Sequence, residues 1–348
     1  MISDYFGLKV LNFPFGLIVS LIIFFGIAQI NQLILNRYKN SFFKPVNIIL
    51  PFVIFSIYFS IINVLLYTNV LYAKNFVFIS IIFFLYFSYL FIKKNNFKNF
   101  INKNFRINFI DIFIFIYLIT YLIISSLPIS DADSLSYHSS FGAYVIKYSN
   151  VNWMKNLELI HPDLLLSGAT EIINFIGLTL FVENFGSYVN FLSLIYIYII
   201  LQIFFKKNKN VNLVFLIIIS SPIILPMVFS QKIYILPSLI LSTIIFILFK
   251  KKKFNNIDFV LIFSSLMIVS SYKISFLIPV LFILLYLMYL SLMQKKLIIN
   301  ILFSFLSLSF FLFPLILKNL YFHSDFFPPL TGQILNLNST ELNNFANF

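Results

Sequence analysis

Apolar runs of roughly 17 to 23 residues recur along almost the whole chain, and short polar or basic connections separate them. Each run is long enough to cross a hydrocarbon core about 30 Å thick at about 1.5 Å per helical residue. Transmembrane β-strands would be runs of about 10 residues with period-2 alternation, a pattern this sequence lacks. Backbone N–H and C=O groups must be paired inside the segment when no water is present, so the runs are helices. The composition agrees: 10% of residues are charged, against about 25% in soluble domains. The expected fold class is an all-α polytopic integral membrane protein.

Ten spans are expected, near 12–35, 46–67, 76–92, 109–127, 186–205, 211–229, 233–249, 257–271, 275–293 and 297–317. The run from Phe13 to Leu35 is longer than a signal-peptide core and has no basic stretch before it, so it reads as a span. The net charge of +13 raises nucleic acid as a partner, but the basic residues sit in short clusters between spans. That distribution is the one positive-inside topology produces, and it points to membrane lipids and away from nucleic acid. Without a cysteine the chain has no disulfide framework and no thiol chemistry.

One long polar interval interrupts the pattern, from Ser126 to Asp163. It carries Asp131, Asp133, Glu158 and Asp163, four of eleven acidic residues, together with His138, His161 and the single Trp153. The segment after it, Leu164 to Val182, is apolar but contains Ser167, Gly168, Thr170, Glu171, Asn174 and Gly177. Counted as re-entrant or surface-lying, it leaves 17 Lys and Arg residues on the cytoplasmic side and 7 outside. Counted as a crossing, it reverses everything downstream and gives 11 inside against 13 outside. Positive-inside bias favours the first arrangement. The domain organisation follows: four spans in 1–127, an extracytoplasmic unit at 128–184, six spans in 185–317 and an extracytoplasmic tail at 318–348 that reads as incomplete.

Within the polar unit, Tyr137, Phe141, Tyr144, Val145 and Tyr148 share one helical face, which predicts an interfacial helix over 134–148. Asp131 and Asp133, just ahead of it, suit a general base or a divalent-cation site, with helix N-capping as the ordinary alternative. His138 and His161 lack metal-ligand spacing. His138 is placed to line the same pocket as Asp133, whereas His161 precedes the helix-starting Pro162. Glu171 and Asn174 lie one turn apart and would face a polar cavity or each other. Lys232 and Lys273, on outer-face connections, would meet a lipid-borne phosphate or snorkel to the headgroups.

The stretch D-x-D-S-L-x-Y-H at 131–138 contains a D-x-x-x-Y, Asp133 to Tyr137, and resembles the first large extracytoplasmic loop of GT-C glycosyltransferases. This superfamily includes protein O-mannosyltransferases and the aminoarabinose transferases of lipid A. The Pro-led run from His161-Pro162 to Phe175-Ile176-Gly177 is similar to its juxtamembrane segment, and K-N-L-Y-F-H-S-D-F-F-P-P at 318–329 is similar to a stretch after a late span. Ser134 stands where the family commonly has a second acid, and four spans precede the loop where many members have one.

The resemblance implies a polyprenyl-phosphate-linked sugar as donor and a lipid, glycan or protein acceptor at the extracytoplasmic face of the cell membrane. It implies Asp133 as general base, Asp131 assisting or holding a divalent cation, and Lys273 or Lys232 on the leaving phosphate. Tyr137, His138, His161 and Glu171 would line the substrate pocket. Two readings from other classes stand beside it: a transporter or flippase of lipid-linked glycans, and a non-catalytic scaffold of envelope assembly. A transporter would need polar residues along several spans.

Overall fold

The computed structural model describes residues 13–23, 49–68, 70–93, 108–129, 134, 140–148, 169–205, 210–250, 254–272, 274–294, 301–302, 304–306 and 316. Among these residues every regular element is helical and no strand occurs. After a helical stretch at 15–23 come α1 (Leu50–Thr68), α2 (Val70–Lys93), α3 (Phe109–Ser125), α4 (Ser140–Tyr148), α5 (Ala169–Thr179) and α6 (Phe185–Phe204). Then follow α7 (Val211–Ile219), α8 (Ile224–Phe229), α9 (Ile235–Lys250), α10 (Asn256–Tyr272), a 3₁₀ turn at Ile274–Phe276 and α11 (Leu277–Met293).

Helix α6 is the central post. It packs on α3, α5, α7, α8 and α9, and α10 is reached through α9. Its segment Phe185–Gln202 is long and apolar enough to cross a membrane, the one such helix among the described residues. Its two faces serve different cores. Phe185, Tyr188, Val189, Ile200 and Phe204 join α1, α2, α5, α9 and α10 in the larger cluster, whereas Phe191, Leu192, Leu194 and Leu201 pack with α3, α7 and α8. Residues 185–194 of the helix are all buried, and exposure begins only in its later turns.

The segment expected as a span at 211–229 is not one continuous helix in the structure. The run breaks at 220–223 into α7, of 9 residues, and α8, of 6. Pro222 has no N–H to continue the helix and disfavours helical geometry at the residue before it. A break inside an apolar bundle releases backbone carbonyls that need partners. Tyr121 of α3 donates its hydroxyl to the carbonyl of Ile219, the last residue of α7.

The segment predicted as re-entrant or surface-lying contains α5, a helix that lies inside the bundle. Residues 170–180 are all buried. The helix has 11 residues, which is about 16 Å of rise and roughly half a hydrocarbon core. It ends in a tight turn in which the N–H groups of Leu180 and Val182 both donate to the carbonyl of Gly177, at 3.0 and 2.8 Å. Phe181 takes φ 63°, the left-handed position that usually closes such an end. The turn brings Phe185 so close that a Cβ on Gly177 would sit 2.2 Å from the Phe185 Cβ.

Helix α4 covers the later part of the predicted interfacial helix, from Ser140 on. Phe141, Ala143 and Val145 are buried, and its contact is with α5. Gly142 allows it: an added Cβ would lie 2.9 Å from the Phe175 Cα.

Hydroxyls inside the helices mostly turn back on their own carbonyl one turn earlier, as Ser80 does on Phe76, Ser193 on Val189, Thr243 on Leu239, Ser264 on Val260 and Ser265 on Leu261. Polar contacts between elements gather at the two ends of the bundle instead. At one end Asp111 accepts the N–H of Asn108 at 2.8 Å, closing the start of α3, and also accepts the Asn212 amide. Gln202 and Tyr198 donate to the same Asn212 side chain at 2.6 and 3.2 Å. Nearby, the Lys250 ammonium donates to the Phe204 carbonyl at the C-terminus of α6, where a cation also meets the negative end of the helix dipole.

Candidate functional site

The other end is the junction where α3, α6 and α10 meet the ends of α5, α8 and α9. Its centre is the loop Ser230-Gln231-Lys232, between the C-terminus of α8 and the N-terminus of α9. This loop runs through the protein interior in non-helical conformation; the Ser230 N–H still donates to the Pro226 carbonyl at 3.1 Å, and the backbone groups beyond it need side-chain partners. Helix α6 supplies most of them. Asn190, fully buried, directs its amide nitrogen at the carbonyls of Met227, Ser230 and Lys232, at 2.8, 3.2 and 2.8 Å. Its amide oxygen accepts the N–H of Ile235 at 3.2 Å and so caps α9. Ser187, one turn earlier, donates to the Phe229 carbonyl at 2.9 Å.

Gln231 ties the loop down from the other direction. Its side-chain oxygen accepts the N–H of Gly186 in the first turn of α6 at 3.0 Å, and its amide donates to Ser187 at 2.8 Å. Its backbone carbonyl accepts Asn174 of α5 at 3.2 Å. The crowding fixes a glycine at 186, because a Cβ there would meet the Asn174 Oδ1 at 2.6 Å and the Gln231 Oε1 at 2.7 Å.

Ser134 completes the knot. It is fully buried, its hydroxyl accepts the Gln231 N–H at 3.0 Å, and it lies 3.3 Å from the Ser230 hydroxyl. That second hydroxyl in turn accepts the Lys232 N–H at 3.0 Å. The chain leaving α3 is fastened next to it. The carbonyl of Leu127 accepts Asn184 at 2.7 Å, Tyr188 donates to Ser126 at 3.3 Å, and Ile129 is buried against Ala143 of α4 and Leu178 of α5.

Of the residues predicted for the site, Asp131, Asp133, Tyr137, His138, His161 and Lys273 lie outside the described residues. Glu171 and Lys232 are described. Glu171 is 1% exposed, in the first turn of α5, one turn before Asn174. Lys232 is half-buried, with its backbone held on both sides of the junction by Ser230 and Asn190. Among the described residues no three His, Asp or Glu side chains gather in a metal-holding group. No family model, curated protein or solved structure matches the chain.

Sequence reasoning passed over Ser187, Asn190 and Gln231, which organise the junction. The signal was present. Ser187, Asn190 and Ser193 recur every third residue in an otherwise apolar helix, one inward stripe in which each side chain is buried.

Proposed function

We propose that the chain is a polytopic membrane glycosyltransferase of the GT-C type, with its site at the junction facing the extracytoplasmic side. It moves a sugar from a polyprenyl-phosphate donor to a hydroxyl of a lipid, glycan or protein. The observation that carries this reading is the hydrogen bond from the Gln231 N–H to Ser134. Asp133 directly precedes Ser134 and Lys232 directly follows Gln231. Two peptide links, each about 3.8 Å between Cα atoms, and one hydrogen bond therefore separate the acid and the cation to which the sequence assigns opposite ends of one reaction.

In that reaction the Asp133 carboxylate takes the proton of the acceptor hydroxyl while its oxygen attacks the anomeric carbon. The bond from that carbon to the phosphate oxygen breaks, both electrons leave with the phosphate, and the configuration inverts. Lys232, or Lys273, meets the charge that develops on the leaving phosphate, where a pre-placed cation counts most. Asp131 and Asp133 are hard oxygen donors of the kind a divalent cation takes, and a cation held there would neutralise donor phosphate.

The ten-span membrane arrangement belongs to this proposal. It is supported by the outward faces of α3 and α11, where Phe109, Phe115, Ile123, Ile278, Phe282 and Leu285 are exposed in apolar rows that water would not tolerate. The back-bonded hydroxyls of α9 and α10 leave no polar track along those helices, which speaks against a transport path. The test is to purify the full chain and extract its lipids. A co-purifying polyprenyl-phosphate sugar, lost on competition with polyprenyl phosphate, is expected; a preparation that neither retains nor binds such a lipid would contradict the reading.

A further inference from the structure

Tyr272 is the last residue of α10, 3% exposed, and its buried hydroxyl has no hydrogen-bond partner among the described residues. Buried phenols ordinarily find one, because the ring suits an apolar site and the hydroxyl does not. An unmet donor lowers stability, and phenylalanine would fill the same space without that cost. A hydroxyl kept in such a place is explained when its acceptor arrives with a ligand.

Its position says which ligand. Helix α10 packs on α5, which carries the buried Glu171 and Asn174, and on the 3₁₀ turn Ile274–Phe276 that follows Lys273. Tyr272 therefore ends its helix at the same end of the bundle as the junction, one residue before a cation. A lone phenol O–H among apolar side chains binds an anionic oxygen far better than a neutral one, since charge-assisted hydrogen bonds are the strong ones.

We propose that the Tyr272 hydroxyl is a binding group for the phosphate of the lipid carrier, donating to one of its anionic oxygens. This rests on the glycosyltransferase reading for the identity of the carrier, and the structural observation for the donor is its own. The shared chemistry is a phosphate oxyanion, which a polyprenyl phosphate or a free phosphate both present.

The full chain in lipid nanodiscs, wild type and Tyr272→Phe, is melted alone and then titrated with polyprenyl phosphate, polyprenol and inorganic phosphate. The proposal expects Tyr272→Phe to melt at or above the wild-type temperature and to bind polyprenyl phosphate about tenfold more weakly, with polyprenol binding the same in both. A Tyr272→Phe protein that melts lower has lost a structural contact, which overturns the proposal. Equal polyprenyl-phosphate affinity in the two proteins overturns it while leaving the glycosyltransferase reading intact. A wild type that does not prefer polyprenyl phosphate to polyprenol overturns both. If inorganic phosphate alone binds as tightly and with the same dependence on Tyr272, the lipid carrier is overturned as the source.

Discussion

Ser134 and Gln231 are joined across the junction by a hydrogen bond from the Gln231 backbone N–H to the Ser134 hydroxyl, 3.0 Å long, and both residues are fully buried. The loop that follows α3 and the loop between α8 and α9 thus meet inside the protein rather than over its rim. In sequence, Asp133 comes directly before Ser134, and Lys232 directly after Gln231.

Replacing Gln231 by methionine keeps length and removes both side-chain bonds. The Gly186 N–H, in a helix turn where it has no intrahelical partner, then loses its acceptor. An unpaired buried donor costs about 1–3 kcal/mol, so the variant should melt lower in detergent by a matching amount. Unchanged melting would show that Gln231 does not hold the junction.

Alanine at Gly177 or Gly186 should be more damaging than alanine at an exposed position. The Cβ at 177 would approach Phe185 Cβ to 2.2 Å, and the one at 186 would approach the Gln231 carbonyl oxygen to 2.9 Å as well as two side-chain oxygens. At 177 the obstacle is a Cβ fixed to its own backbone, whereas at 186 two side-chain ends held by hydrogen bonds must give way as well as a backbone carbonyl, each at about 1–3 kcal/mol or more. Gly177→Ala is expected to be the worse of the two, by thermal denaturation.

At the opposite end, Asn212 donates to Asp111 and accepts from Gln202 and Tyr198, so one side chain joins the other three. Single alanine variants each break the same network, so their effects should not add. A double-mutant cycle should return a coupling of about 1 kcal/mol, and a coupling near zero would mean that the two side chains act separately.

Much of the helix layout is legible in the sequence because burial in an apolar medium needs only length and hydropathy. The runs read at 109–127, 186–205 and 257–271 appear as Phe109–Ser125, Phe185–Phe204 and Asn256–Tyr272. The break at 220–223 was hidden by the hydropathy of the residues around it, although Ser220, Ser221 and Pro222 mark it. The junction was only half visible. Charge drew attention to Asp131, Asp133 and Lys232, yet the described residues that tie the loops together are neutral amides and hydroxyls. Ser187, Asn190 and Gln231 carry no charge, and their importance comes from the burial of the loop between α8 and α9, which the runs at 211–229 and 233–249 place as a link without showing that its backbone lies inside the protein. Glu171 was recognised as a polar residue in an apolar run, but its complete burial depends on α5 being surrounded by α1, α4, α6 and α10.

The central claim is that Asp133 is the base of a sugar transfer at this junction, and one measurement bears on it most directly. Wild type and Asp133→Asn, reconstituted in lipid, are supplied with a labelled polyprenyl-phosphate sugar and acceptor lipids, and transfer is followed. General-base catalysis contributes about 10²- to 10⁴-fold, so transfer by the variant should fall at least a hundredfold while its melting temperature and membrane insertion match wild type. Full transfer by Asp133→Asn would contradict the account.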